Sequence, residues 1–185
     1  MNIVQLNAET LPSYRKALAA LMIDAIQHNM AAAFHSSHGQ QAHQEAERYF
    51  HSLRDGMARH ELLLWVALTD DGVAGSVQLS ICQRPDGRNR AEVLHLLVHS
   101  TAQREGIGRE LMNRLESKAE SYQRSLLYLD VLAGSPIEHF YRAHGYHYLG
   151  ELPDYALCAD GHPHPGAIYY KRLRTSAAET LTTSY

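Results

Sequence analysis

The 185 residues include only two cysteines, Cys82 and Cys158. Two thiols cannot build a disulfide scaffold, and these lack the spacing of a zinc pair. The fold must therefore rest on burial, and the chain suits a reducing cytoplasm. Long apolar runs are missing too: none approaches the ~20 residues of a membrane-spanning helix, so no membrane partner is expected. Residues 1–9 lack the charged and apolar regions of a secretory leader. Positive charge is scarce. Lys and Arg total 17 against 20 Asp and Glu, a net charge of −3, which gives no basic face for a nucleic acid. No repeat and no Pro- or Gly-rich linker divides the chain. One domain is expected over 1–173, with 174–185, rich in Thr, Ser and Ala, as a flexible tail.

Hydrophobic residues make up 45% of the sequence, enough for a sizeable core. Thirteen histidines are many, but they are scattered. No H-E-x-x-H occurs, and the tight pair His162 and His164 lies in a proline-rich stretch, so no metal is expected.

Tyr14, Leu18, Leu21, Met22, Ala25 and Ile26 recur with helical spacing, as do Ala42, Ala46, Tyr49, Phe50, Leu53 and Met57. Residues 29–39 between them read as a loop or a short irregular helix. Apolar or alternating runs predict strands over 61–68, 73–82 and 91–98, joined by the turns Asp70-Asp71-Gly72 and Pro85-Asp86-Gly87. Ile107, Leu111, Leu115, Ala119 and Tyr122 predict a helix. The nearly all-apolar run 126–132 predicts a strand covered on both faces. Ser135-Pro136-Ile137-Glu138 reads as a capping box, with Ser135 at the N-cap and Glu138 reaching back, opening a short helix that ends at Gly145. Strands over 146–151 and 167–173 close the chain, with a loop over 152–166 between them. This order predicts an α/β fold: a mixed, mostly antiparallel central sheet flanked by helices, with one parallel pair across the strand–helix–strand crossover.

The most informative stretch is Leu96-Leu97-Val98 followed by Gln103-Arg104-Glu105-Gly106-Ile107-Gly108. An apolar strand stops, a polar turn carries two glycines, and a helix begins. The first N–H groups of a helix lack intrahelical partners, and the helix dipole adds positive charge there. Glycines let a ligand approach that backbone, so the stretch predicts a phosphate or pyrophosphate pocket. Neither the P-loop nor the dinucleotide pattern fits, since Leu111 stands where the third glycine of G-x-G-x-x-G belongs. The pattern present is Q/R-x-x-G-x-G.

Four side chains could carry chemistry. Tyr141 is either a core aromatic or a phenol able to protonate a departing thiolate. Asp130, inside an apolar strand, must be paired or face a cleft, because an unpaired buried carboxylate is costly. Glu92 is either a solvated strand end or a general base, and period two places it on one face with Leu94, Leu96 and Val98. His95 is a weaker base candidate, on the opposite face unless a bulge shifts the register. Arg88 and Arg90 suit either the surface or a substrate carboxylate.

With these elements in this order, residues 60–173 resemble the GNAT superfamily of N-acetyltransferases, whose acyl-CoA pyrophosphate loop has the Q/R-x-x-G-x-G pattern. The blocks Leu62-Leu63-Leu64-Trp65-Val66, Arg88-Asn89-Arg90-Ala91-Glu92-Val93, Leu129-Asp130, Ala133-Gly134-Ser135, Gly150-Glu151-Leu152-Pro153 and Ala167-Ile168-Tyr169-Tyr170-Lys171 are similar to the tabtoxin-resistance group of these enzymes. The resemblance implies acetyl-CoA as co-substrate and a sheet whose parallel pair is splayed. It implies a pantetheine arm along Leu96, Leu97 and Val98. The pyrophosphate would lie on Gln103, Arg104, Glu105, Gly106, Ile107, Gly108 and Arg109, with Ser135 also at the cofactor. A backbone N–H near Val98 would stabilise the oxyanion. Glu92 or Asp130 would take the proton of the acceptor amine, and Tyr141 would protonate the CoA thiolate. Residues 28–39 and 152–166 would wall the acceptor cleft. The expected partner is a small amino-acid-like amine. A peptide or protein amine, or a module that binds acyl-CoA without transfer, are the alternatives, and a homodimer stays open.

Overall fold

The computed structural model of the protein describes residues 1–28, 39–158 and 160–174. The loop or short irregular helix expected over 29–39 and the tail expected over 174–185 therefore lie almost wholly outside the described residues. In chain order the elements are β1 (Asn2–Leu6), α1 (Leu11–Gln27), α2 (Gln40–Ser52), α3 (Arg54–Ala58), β2 (Leu62–Thr69), β3 (Gly72–Ile81), β4 (Arg90–Val98), α4 (Ile107–Ser121), β5 (Leu126–Leu132), α5 (Ile137–Ala143), β6 (His147–Leu157) and β7 (Pro163–Arg172). The strands form one sheet in the order β1-β2-β3-β4-β5-β7-β6. Every neighbouring pair is antiparallel except β4 and β5. The fold class expected from the sequence is the one observed.

Two cores sandwich the sheet. On one face, Val77, Leu79, Ala91, Val93, Leu127 and Leu129 pack with Ile107, Leu111, Met112 and Leu115 of α4 and with Tyr141 of α5. On the other, Leu64, Val66 and Leu97 pack with Leu18, Leu21, Met22 and Phe50 of α1 and α2. Gly75 lets α4 close on the sheet, for a Cβ there would lie 2.9 Å from Ile107 Cγ2 and 3.0 Å from the Leu97 carbonyl.

Four features differ from expectation. The opening strand β1 was not foreseen; its five residues pair with β2 at the edge of the sheet. The expected loop over 152–166 is instead largely strand, because β6 continues to Leu157 and β7 starts at Pro163. The capping box is shifted. The first residue of α5 is Ile137, and Glu138 accepts from the N–H of Gly134 at 2.6 Å, while the Ser135 hydroxyl turns back to donate to the Leu132 carbonyl at 2.5 Å.

The fourth difference lies in β4. Ser76 opposes Leu97 and Gln78 opposes Leu94, so His95 and Leu96 together face Val77. His95 takes φ +46. This bulge inverts the alternation downstream of it. Leu96 and Val98 pack toward α4 with Ala91 and Val93. Glu92 lies on the opposite, α1/α2 face and does not share one with Leu96 and Val98.

Candidate functional site

The site is built where β4 and β5 part. Their parallel pairing consists of Arg90 with Leu126, Ala91 with Leu127 and Glu92 with Tyr128. Beyond Glu92 the strands separate, so the β5-facing backbone of Leu96, Leu97 and Val98 has no strand beside it. Diverging parallel strands open a crevice at their carboxyl ends, where α/β sheets bind ligands.

The glycine loop stands at the mouth of this crevice. Gly106 caps α4 with φ +82, and Arg104 takes φ +64. Nothing lies within 4 Å of a Cβ built on Gly106, so glycine serves the left-handed backbone there and leaves the approach clear. The first helical bond runs from Glu110 N–H to the Gly106 carbonyl at 3.0 Å. The N–H groups of Ile107, Gly108 and Arg109 thus lack intrahelical acceptors. Gln103, Arg104, Glu105 and Gly106 are exposed to solvent. The carboxylate of Asp24 on α1 fastens the approach to the loop, taking the Ser100 N–H and the Ser100 hydroxyl at 2.7 Å each. These donors suit a diphosphate. Ser135 lies in the β5–α5 connection, two residues before α5, with its hydroxyl engaged by Leu132.

Tyr141 comes from the α4 side of the sheet. It is 4% exposed and rests edge-on against Phe140 and Tyr146, with ring centroids 5.4 and 5.5 Å away. Burial, with the charge of Asp130 second, raises its phenol above the ordinary value, so it stays protonated at neutral pH. Its hydroxyl makes no hydrogen bond within the described residues. Two networks fix the short helix that carries it. Glu138 accepts from the Tyr169 hydroxyl and pairs with Arg142 at 3.3 Å. At the other end, Lys171 Nζ donates to Glu116 at 2.7 Å and to the carbonyl of His144, which ends α5, at 2.8 Å.

Glu92, Tyr128 and Asp130 point to the opposite face, since Ala91, Val93, Leu127 and Leu129 face α4. The Tyr128 hydroxyl makes a long contact of 3.5 Å to Glu92. Burial raises the Glu92 carboxyl, and the charge of Asp130 raises it further. Burial likewise raises Asp130, while the nearby Tyr155 hydroxyl of β6 pulls it down. The two carboxylates therefore feel each other, and each binds a proton more readily than an exposed one.

The bulge brings His95 to this face as well, edge-on to Tyr49 of α2 at 5.2 Å. Burial lowers its imidazole to about 4, which makes it neutral at physiological pH and a weaker base than an exposed imidazole. The Tyr49 hydroxyl donates to Gln78, a buried side chain, at 2.9 Å. Arg88 is exposed, and Arg90, half-buried, donates to the Asp86 carbonyl at 3.4 Å.

The structure thus brings Glu92 and Asp130 together on one face where β4 and β5 part, and the charge of Asp130 reaches Tyr141, which is held in the α4-side core. Tyr128 and Tyr155 join the carboxylates without having been anticipated. Tyr128 was findable, two residues before Asp130 in one strand and so on its face. Tyr155 was not, because it reaches the site through an irregular pairing. Among the described residues no group of three or more His, Cys, Asp or Glu could hold a metal, and no helix is long and apolar enough to cross a membrane.

Residues 23–146 match the profile of the Acetyltransferase (GNAT) family. Solved structures share the fold. A ribosomal-protein-alanine N-acetyltransferase from Brucella melitensis is 21% identical with a TM-score of 0.72, over 94% of this chain and 100% of that one. A proposed phosphinothricin N-acetyltransferase is 18% identical with a TM-score of 0.72, over 94% and 99%. A proposed acetyltransferase from Salmonella typhimurium, solved with its cofactor acetyl-CoA, is 15% identical with a TM-score of 0.70, over 94% of each chain. Together with the splayed β4–β5 pair and the glycine-capped helix, the family match establishes that the chain belongs to the GNAT family of acetyl-CoA-dependent N-acetyltransferases.

Proposed function

We propose that the protein moves the acetyl group of acetyl-CoA to the primary amine of a small amino-acid-like molecule, a class that includes toxins and antibiotics, by direct attack with both substrates bound. One observation supports the chemistry: the charge of Asp130 reaches both Glu92, on its own face of the sheet, and the buried, protonated phenol of Tyr141 on the other. Backbone groups of Leu96, Leu97 and Val98 would hold the pantetheine arm as an added strand. Gln103, Arg104, Glu105, Gly106, Ile107, Gly108 and Arg109 would hold the diphosphate, with Ser135 beside them. Bound acetyl-CoA supplies an activated acetyl thioester.

The protein's own part is proton management and placement. An alkylammonium has a pKa near ~10 and must lose its proton before its nitrogen can attack. Glu92 or Asp130 takes that proton, directly or through water. The Tyr141 hydroxyl gives its proton to the sulfur as it leaves. Backbone N–H near Val98 steadies the charge on the carbonyl oxygen.

Support for a small acceptor comes from the blocks shared with the tabtoxin-resistance group and from a fold shared with a proposed phosphinothricin acetyltransferase. A protein or peptide amine is the second reading, favoured by an equal likeness to a ribosomal-protein-alanine acetyltransferase. Residues 1–173 serve as one catalytic domain in this proposal. The unpaired Cys82 and Cys158 fit a reducing cytoplasm.

Free-thiol release from acetyl-CoA, scored against amino acids, polyamines, β-lactam amines and peptides, tests the proposal. Turnover should be fastest with a small amine carrying a carboxylate. Faster turnover of peptides would favour the second reading, and thiol release with none of them would remove the first. Tyr141→Phe should lower kcat by roughly a hundredfold or more, the usual worth of a general acid, with acetyl-CoA affinity intact.

A further inference from the structure

Tyrosines aside, the described residues bury two polar side chains completely, Ser76 and Gln78 of β3, both 0% exposed. Their neighbours Val77 and Leu79 face α4, so alternation turns Ser76 and Gln78 to the α1/α2 face. That is the face of Glu92 and Asp130. Gln78 opposes Leu94, and Ser80 opposes Glu92. Gln78 and Glu92 are therefore diagonal neighbours in one ladder, with Cβ atoms roughly 7 Å apart. From α2, Tyr49 donates its hydroxyl to Gln78 Oε1 at 2.9 Å. The Tyr49 ring lies edge-on to Phe50 and to His95, 5.2 Å from each. Burial pushes its phenol up to about 12, so the donated proton stays. The other end of the amide is bare: Gln78 Nε2 is buried with no hydrogen-bond partner, and so is Ser76 Oγ. Folded proteins pair nearly all such groups. A leucine would fill the same space with no donor to satisfy.

We infer that Gln78 selects the acceptor: its amide N–H groups, oriented by Tyr49, bind the carboxylate of the amino-acid-like substrate while the amine lies toward Glu92 and Asp130. This deepens the proposed function and rests on it. The charges on this face support the assignment. Two acidic side chains attract the ammonium end of a zwitterion and repel its carboxylate end. A neutral amide, with its oxygen already taken by Tyr49, offers the carboxylate hydrogen-bond donors a ladder step away. The amino acid is thereby laid along the Gln78–Glu92 diagonal with its nitrogen at the bases. Gln78 moves no proton and acts by binding alone. An amine without the carboxylate leaves its N–H groups bare, and a site built to hydrogen-bond a group rejects the analogue that lacks it.

The test compares the full chain with Gln78→Met, which keeps the side-chain volume, and with Tyr49→Phe, which keeps the amide and frees its oxygen. Substrates are pairs that differ only in a carboxylate: L-lysine with cadaverine, L-ornithine with putrescine. In Gln78→Met the ratio of kcat/KM within each pair, acid over diamine, should fall about tenfold or more, the worth of a hydrogen bond to a charged group. Tyr49→Phe should lower the same ratio by less. KM for acetyl-CoA and turnover of the diamines should be unchanged in both. NMR of the wild type with CoA present gives a readout apart from activity. The Gln78 side-chain N–H pair, assigned by its loss in Gln78→Met, should shift on adding L-lysine and stay still with cadaverine. A pair ratio unmoved in Gln78→Met would overturn the inference. So would an amide signal indifferent to L-lysine, the mark of a donor held by internal water. Equal losses for both members of each pair would show a packing role and overturn it too. A wild type that acetylates peptides and none of the carboxylate-bearing amines removes the small-acceptor reading, and the inference with it. A wild type active on the amino acids, with the ratio intact in both variants, removes the inference alone.

Discussion

Glu92 is half-buried and electrostatically opposed by Asp130, and its carboxyl sits above the ordinary carboxylate range for both reasons, burial first. A raised carboxyl pKa in the folded state means that the native protein binds a proton more readily than the unfolded chain. Stability therefore falls as pH rises through that interval, and at neutral pH the ionised side chain is a cost. Glu92→Gln should raise Tm at pH 7 while the difference from wild type shrinks toward pH 4, as read by thermal melts at both values. If Glu92 is the principal base, the same variant should lose about a hundredfold in kcat or more. A stabilised but inactive Glu92→Gln marks a residue kept for chemistry. A destabilised one marks a structural carboxylate. The three catalytic candidates were legible in the sequence because each is an anomaly in its run: a carboxylate amid Leu and Val, an acid opening a strand, a tyrosine in a short capped helix. Tyr155 carried no such mark, since its place depends on an irregular β6–β7 pairing that local residue preferences do not announce.

At the scale of elements, the site depends on how closely α4 can approach the sheet. Gly75 of β3 is that point of approach, with the Leu111 side chain 3.1 Å from where a Cβ would stand. Its neighbours are packed core and backbone rather than a loose side-chain tip. Gly75→Ala should therefore cost about 1–3 kcal/mol, the usual penalty of overpacking, and should weaken acetyl-CoA binding by displacing the start of α4. Denaturant melts with calorimetric titration of acetyl-CoA would check both. Gly106→Ala makes the contrast. Its Cβ would meet open space, but φ +82 strains any L side chain. The stability loss should stay near ~1 kcal/mol, while acetyl-CoA affinity falls. Elements with strong periodicity were readable: β5 runs over the expected residues, and α4 begins at the residue after its glycine cap. The bulge at His95 was not, because alternation persists on both sides of it and only pairing with β3 reveals the missing step. The first five-residue strand was too short to carry a pattern, and in the sheet it pairs with β2 alone.

For the whole molecule, the question is what keeps the two lips of an intentionally opened sheet in register. On the β5 side, Glu116 and Lys171 join α4 to β7, and Lys171 also holds the carbonyl that ends α5. Their side chains keep 13% and 23% of their exposure. Burial pushes Glu116 up, but the hydrogen bond from Lys171 and the His144 imidazole 3.4 Å away outweigh it and leave the carboxyl below its ordinary 4.5. A depressed carboxyl pKa contributes stability above the unfolded value and loses it as pH falls through the folded one. The clamp therefore holds at neutral pH and is lost as pH falls through the lowered value, beneath the ordinary carboxylate range. Removing one partner of a fully buried pair costs 3–5 kcal/mol, mostly because the other charge is left uncompensated. With Lys171 partly solvated, Lys171→Met should cost about 2 kcal/mol, and Glu116→Gln with Lys171→Met should cost less than Lys171→Met alone. Trp65, the single tryptophan of the chain and 5% exposed in the α4-side core, reports unfolding by fluorescence. Melts of the two variants at pH 7 and at an acid pH well below the carboxylate range decide the matter. Convergence of Lys171→Met with wild type in acid is expected of an ionic clamp, whereas an equal deficit at both pH values would mean that Lys171 acts through packing of its stem and not through its charge.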